Sequence, residues 1–313
     1  MSIESGDWAL ADSARVFLIA LLLMVGQPQL AFAWGNEGHR IVAFIAADHL
    51  GVPARSRIAK LLAMDAADWR AIAERMADDS ILPDWDYRRE DPPSAAWHYI
   101  NLCLQDTESE IPARCVRGQC ATAKIGEFTK RLSSGNYDRW GAEGDLAFLV
   151  HIIGDIHQPL HAATNADLGG NCVRVREVRV ATLHLAWDDT MVRLVMARFA
   201  HRGHNNARNT ASALESYYAM HPFHDGFSWR SGGADALAWE SNRIALAQIY
   251  ERLAIPLEPC EPNLKSCSRA PAKVRAEDIV LDPAYLSAET EVAALQLFKA
   301  GTRLAALLNQ IWQ

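Results

Sequence analysis

Apolar residues recur at helical spacing along most of this chain. Ile41 to His49, Ser56 to Met64 and Asp65 to Met76 each carry such a face and predict three successive helices. Ala121 to Leu132 and Gly144 to Ile156 predict two more, the second an apolar run around His151 and Asp155. His184 to Phe199, Asp235 to Leu253 and Glu289 to Leu308 complete the helical set. Asp78 to Pro93 is polar and contains proline, so it reads as a loop, Trp97 to Leu102 as a short extended piece, and Asp167 to Asn171 as a turn. Val173 to Arg176 and Val178 to Val180 alternate valine with arginine, the one strand signal, and predict a small β-hairpin. The expected fold is all-α: a single compact multi-helix domain with that hairpin, without repeats, long linkers or low-complexity segments.

The amino terminus changes the picture of where the protein works. Arg15 precedes the apolar run Val16 to Val25, and Ala31-Phe32-Ala33 offers the small-x-small pattern of a cleavage site. Residues 1–33 are therefore expected to be a cleaved signal peptide and residues 34–313 the functional domain. The apolar run is too short to span a bilayer, so no membrane anchor is expected after cleavage, and the product is secreted or periplasmic. Six cysteines in an exported chain imply disulfides. Cys115 and Cys120 enclose a short glycine-containing loop and form the first expected pair; Cys103, Cys172, Cys260 and Cys267 admit three pairings, with Cys260–Cys267 and Cys103–Cys260 as rivals. A net charge of −7 argues against gripping nucleic acid mainly through a basic surface. It leaves room for a nuclease whose positive charge comes from bound metal.

The candidate chemistry is concentrated in H-I-I-G-D-I-H-Q-P-L-H, from His151 to His161. His151 and Asp155 are four apart and share a helix face, so both can point at one ion. A buried charged Asp there is costly unless paired or metal-bound. Pro159 ends the helix and frees His161 for a neighbouring site. His184 and Asp188 repeat the four-residue spacing on the next helix. Imidazole and carboxylate donors without a nearby thiolate suit zinc, with manganese or iron as alternatives. A core histidine bonded to an aspartate explains one such pair, but two make that reading strained. Cleavage after Ala33 frees the Trp34 amine, which can chelate a metal with its own carbonyl, and His39 could complete that site. His49 and His157 read as structural, Cys172 as structural rather than a ligand, and His201, His204, His221 and His224 as solvated loop histidines.

These residues resemble the zinc-dependent single-strand nucleases of the S1/P1 type, whose fold relatives include the zinc phospholipases C. The resemblance runs from Trp34-Gly35 and Gly38-His39 through Pro83-Asp84 and Trp97-His98-Tyr99 to G-D-I-H-Q-P-L-H and G-G-N. It continues through L-H-L-A-W-D, Trp239-Glu240-Ser241 and A-G-T-R-L-A-A-L-L-N, so it covers essentially the whole chain after Ala33. It implies three zinc ions in one cleft: one held by Asp84, His98, His151 and Asp155, a second by Trp34, His39 and the bridging Asp155, a third by His161, His184 and Asp188. It also implies hydrolysis of single-stranded DNA and RNA to 5′-phosphate products, with Gly170 and Asn171 at the scissile phosphate and Tyr99 stacked on a base; a monomer is expected. Whether 3′-nucleotidase activity accompanies this is left open. Two departures are visible. Asn101 stands near the cleft where many members carry Asp, and W-D-Y-R-R follows Asp84 without an arginine three residues on, leaving Arg88 or Arg89 to assist the phosphate. A zinc phospholipase C is the alternative; Asp188, where those enzymes typically carry Glu, and the G-G-N turn favour the nuclease. A non-enzymatic zinc-binding protein fits poorly with a complete ligand set beside a phosphate-binding turn.

Overall fold

The computed structural model describes residues 34–199, 206–230, 233–275 and 278–313. The expected signal segment, residues 1–33, lies outside the described residues, as do His201 and His204.

The all-α expectation holds, and its centre is the helix that carries the densest motif. Helices α1 (Gly35–Asp48), α2 (Val52–Leu61), α3 (Trp69–Asp79), α4 (Ala121–Ser134) and α5 (Gly141–His157) occupy the first half. Every residue from Gly144 to His157 is buried, as a helix apolar on all sides requires. α6 (Val192–Arg198), α7 (Ala207–Met220), α8 (Gly233–Ile244) and α9 (Pro283–Ile311) follow. α9 lies along α1 and touches α5, while α4 covers another side of α5. Asp282 caps α9, its carboxylate accepting from the Tyr285 N–H at 2.8 Å, and Pro283 opens the helix with a φ already suited to it.

Burial of side chains such as Phe148 and Ile152, each worth roughly 1.5–3 kcal/mol, holds α5 in place. The same packing positions its neighbours. Phe148 stacks on Phe128 of α4 with ring centres 5.1 Å apart and meets Trp97 at 5.3 Å. Trp97 belongs to the 3-10 turn Pro92–His98, so this aromatic contact sets His98 beside α5. Beyond it the chain is extended: the Ile100 N–H donates to the His161 carbonyl (2.9 Å) and the Thr164 N–H to the Leu102 carbonyl (2.8 Å). The Asn242 amide of α8 locks both segments by donating to Leu102 and Ala162 carbonyls.

The structure departs from the sequence reading in three places and settles the cysteine pairing that the sequence left open. The polar stretch Asp78 to Pro93 is not all loop, because Pro83–Tyr87 forms a π-helical turn that runs into the short helix Arg88–Glu90. The region after Phe199, read as loop, contains α7, whose buried face of Ala207, Thr210, Ala211, Ala213 and Leu214 is too small-residued to stand out as an apolar stripe. The hairpin narrows to one antiparallel bridge between Arg174 and Thr182, because Glu177 enters the left-handed region (φ 67°) and turns the chain away. β1 (Val175–Arg176) instead pairs in parallel with β2 (Ile279–Val280), Val175 opposite Ile279. The disulfides join Cys115 to Cys120, Cys103 to Cys260 and Cys172 to Cys267, which selects Cys103–Cys260 over Cys260–Cys267.

Candidate metal centre

Five of the singled-out side chains converge around α5. His151 Nε2 lies 3.3 Å from Asp155 Oδ2 on the same helix face and 3.7 Å from Asp84 Oδ2, which the π-helical turn delivers. His98, at the end of its 3-10 turn, places Nδ1 2.9 Å from His151 Nε2, 3.0 Å from Asp155 Oδ2 and 3.5 Å from Asp84 Oδ1. His39 arrives from α1, stacked on His151 with ring centres 3.8 Å apart, and its Nε2 is 3.3 Å from Asp155 Oδ1. The two oxygens of Asp155 therefore face different partners, Oδ1 toward His39 and Oδ2 toward His98 and His151. Gly154 makes this possible, since a Cβ there would lie 2.8 Å from His39 Nδ1.

A second group forms where α5 ends. His161 Nε2 is 3.9 Å from Asp188 Oδ1, and His184 Nε2 is 3.4 Å from Asp188 Oδ2. Asp188 sits in another π-helical turn, Ala186–Met191. Gln158 orients it, donating its amide to Asp188 Oδ1 at 2.6 Å while its own carbonyl accepts from the Leu160 N–H. The turn after Asp167 supplies the remaining support: Leu168, Gly169 and Gly170 all have positive φ, and a Cβ on Gly169 would strike the Leu160 carbonyl at 2.5 Å.

Three histidines have their tautomer set by backbone. Nδ1 of His151 donates to the Ser80 carbonyl (2.7 Å), that of His161 to the His98 carbonyl (2.7 Å) and that of His184 to the Gly169 carbonyl (2.6 Å). A carbonyl only accepts, so each Nδ1 carries the proton and each Nε2 presents a lone pair. The lone pairs of His151 and His184 face carboxylate oxygens, acceptor against acceptor, with His98 Nδ1 the ring nitrogen placed to donate into the first group and the Gln158 amide donating into the second. A cation between imidazole and carboxylate relieves the acceptor pairs, as would a proton held on a carboxyl. Burial accordingly pushes Asp84 up to about 7, Asp155 to about 6 and Asp188 well above the usual carboxylate range. It holds His39, His98, His151 and His161 below the ordinary imidazole range and brings His184 down to about 4. His39 Nε2, Asp155 Oδ1, His161 Nε2 and Asp188 Oδ2 are buried without a hydrogen-bond partner. Neutral imidazoles and carboxylates without thiolate are the donors that zinc takes. The grouping of Cys103 with Asp106 and Cys260 is different, because its sulfurs are joined in a disulfide.

Around these groups, Trp34 is buried at the start of α1. Tyr99 is 40% exposed, so it is not a core aromatic. Asn101 donates its amide to the Pro262 carbonyl at 3.0 Å, a bond that an Asp could not make. Asn171 commits one amide hydrogen to the Leu168 carbonyl at 2.9 Å, beside Gly170. Of the two arginines, Arg88 is one-quarter exposed and 3.7 Å from Asp84 Oδ1, whereas Arg89 is 77% exposed and paired with Asp86. His157 is buried as a structural residue, its Nδ1 donating to the Ile153 carbonyl, and His221 is exposed, its Nδ1 donating to the Tyr217 carbonyl at the end of α7. The sequence reading missed Gln158, although it lies inside the densest motif, and it missed the carbonyls of Ser80 and Gly169, for which side-chain identity carries no signal.

Comparison with known proteins agrees with this geometry. The sequence pattern of the S1/P1 nuclease family matches residues 34–313. Endonuclease 3 of Arabidopsis thaliana is 27% identical over 315 residues, covering 96% of both chains. Nuclease P1 of Penicillium citrinum is 26% identical over 298 residues, covering 89% of this chain and 97% of its own. Nuclease S1 of Aspergillus oryzae is 32% identical over 168 residues, 52% of this chain and 56% of its own. A match that spans both buried clusters and every helix that supports them places the chain in the S1/P1 nuclease family, zinc-dependent hydrolases of nucleic acid.

Proposed function

We propose that this protein is an exported nuclease that holds three zinc ions and cuts single-stranded DNA and RNA to 5′-phosphate products. The observation that carries the reading is the meeting of imidazole lone pairs and carboxylate oxygens in two buried groups, at 3.3 to 3.9 Å. Asp84, His98, His151 and Asp155 hold the first ion. His39, Asp155 and the amine and carbonyl of Trp34, freed by removal of residues 1–33, hold the second. His161, His184 and Asp188 hold the third. Bound zinc supplies Lewis acidity, lowering the pKa of a water and neutralising charge on a phosphodiester.

The chain's own residues arrange the substrate. Asp155 ties the first two sites together through its two oxygens. Arg88 offers a guanidinium beside Asp84 for the phosphate. Gly170 and the second amide hydrogen of Asn171 complete the phosphate contact. Tyr99 gives an exposed ring on which a base of a single strand can stack, which a duplex keeps inside its own stack. Asn101, held at Pro262, keeps its side-chain oxygen for the base. All of these groups come from one chain, so the site needs no residue from a second copy. Three disulfides support an oxidising compartment, secreted or periplasmic. Among the described residues no helix is long and apolar enough to cross a membrane.

The test compares denatured DNA, RNA, duplex DNA and phosphatidylcholine as substrates of the zinc-loaded protein, with end-group analysis of the products. Release of 5′-phosphorylated fragments from the single strands is expected. Turnover of the lipid alone would establish a phospholipase C instead.

A further inference from the structure

We propose that Trp85 is a second base-stacking platform, taking a nucleobase of the single strand beside the one taken by Tyr99; this rests on the nuclease reading above. Tryptophan is highly buried on average, yet Trp85 is 48% exposed. Among the described residues, Trp85 and Tyr99 are the only aromatics in the set of exposed large hydrophobic side chains. Each directly follows a member of the same buried group, Trp85 after Asp84 and Tyr99 after His98, and those two members are 3.5 Å apart. Two exposed rings are thus carried by the immediate chain neighbours of two members of one polar site.

The local backbone explains how. In the π-helical turn Pro83–Tyr87, Asp84 points inward and is buried while Trp85 is turned out to solvent. Arg88, four residues on, comes back beside Asp84, which sets a cation for the phosphate three residues from the indole. The indole is held: its Nε1–H donates to Asn36 Oδ1 at 3.1 Å, near the start of α1. A ring held in one orientation loses little freedom when a base stacks on it. Every base has a π-face, so such a platform tolerates sequence and grips the strand without reading it.

The experiment uses the zinc-loaded protein, an oligothymidylate and an abasic strand of the same length. Trp85→Ala is expected to raise KM for the oligothymidylate about tenfold, with kcat within about twofold. Trp85→Phe keeps a ring but loses the bond to Asn36, and its KM should stay within about threefold of the parent. KM for the abasic strand, which has nothing to stack, should not respond to Trp85→Ala. An unchanged KM for the oligothymidylate in Trp85→Ala overturns the proposal. So does an equal rise on the abasic strand, or a Trp85→Phe variant as impaired as Trp85→Ala, which would assign the effect to the Asn36 bond. Failure of the parent protein to cut either strand would sink the nuclease reading itself.

Discussion

His151 and Asp155 face each other across one turn of α5, Nε2 to Oδ2 at 3.3 Å, while the opposite nitrogen of His151 gives its proton to the Ser80 carbonyl. That carbonyl makes the pair a place for a cation rather than a hydrogen bond, since neither facing atom carries a proton to share once Asp155 is ionised. Similar backbone bonds fix His161 and His184. Backbone carbonyls therefore organise both buried groups.

Gly154→Ala tests the packing behind this arrangement. The added methyl would lie 2.8 Å from His39 Nδ1, in the stretch of α5 that is buried from Gly144 to His157. Overpacking of this kind costs about 1–3 kcal/mol. The expected result is a lower melting temperature by calorimetry, retained helical circular dichroism, and a rate on denatured DNA reduced about tenfold or more as His39 is displaced.

Gln158→Leu separates the second group from the first. It removes the 2.6 Å bond that orients Asp188 while keeping similar volume. Loss of such an orienting bond typically weakens metal affinity about 10–100-fold. In a chelator titration one zinc per chain should leave at correspondingly lower chelator concentration, with the other two unaffected. Simultaneous loss of all the metal would show that the groups do not act separately.

Much of this was legible in the sequence because it depends on spacing. His151 with Asp155 and His184 with Asp188 are four apart on helices, and helical spacing alone puts them on one face. The apolar run around them made α5 visible. The supports were hidden because they come from backbone or from distant chain. The Ser80 and Gly169 carbonyls have no side-chain signature, and Gln158 was readable only once Asp188 was known to lie 2.6 Å away. The π-helical turn at Asp84 escaped because proline and acidic residues mimic a loop. The parallel pairing of Val175 with Ile279 escaped because local alternation says nothing about a partner some hundred residues on.

His157 gives a pH dependence independent of the metal. It is buried, accepts from the Arg303 guanidinium at 3.1 Å, and burial, reinforced by that charge, lowers it to about 3. A depressed histidine contributes stability that is full above its unfolded value of 6.5 and is lost as pH falls toward about 3. The advantage of the parent over His157→Gln in urea midpoint, both zinc-loaded, should therefore shrink between pH 6.5 and pH 4. A constant gap would mean that His157 does not fold in its neutral form.

Elemental analysis of the protein prepared to begin at Trp34, with Asp155→Asn measured alongside, bears most directly on the proposed three-zinc site. About three zinc ions per chain are expected in the parent. In the variant, which loses the carboxylate between His39 and His98, zinc should fall to about one and cleavage of denatured DNA by at least about 100-fold. An Asp155→Asn protein that kept its full zinc content and activity would contradict the shared site.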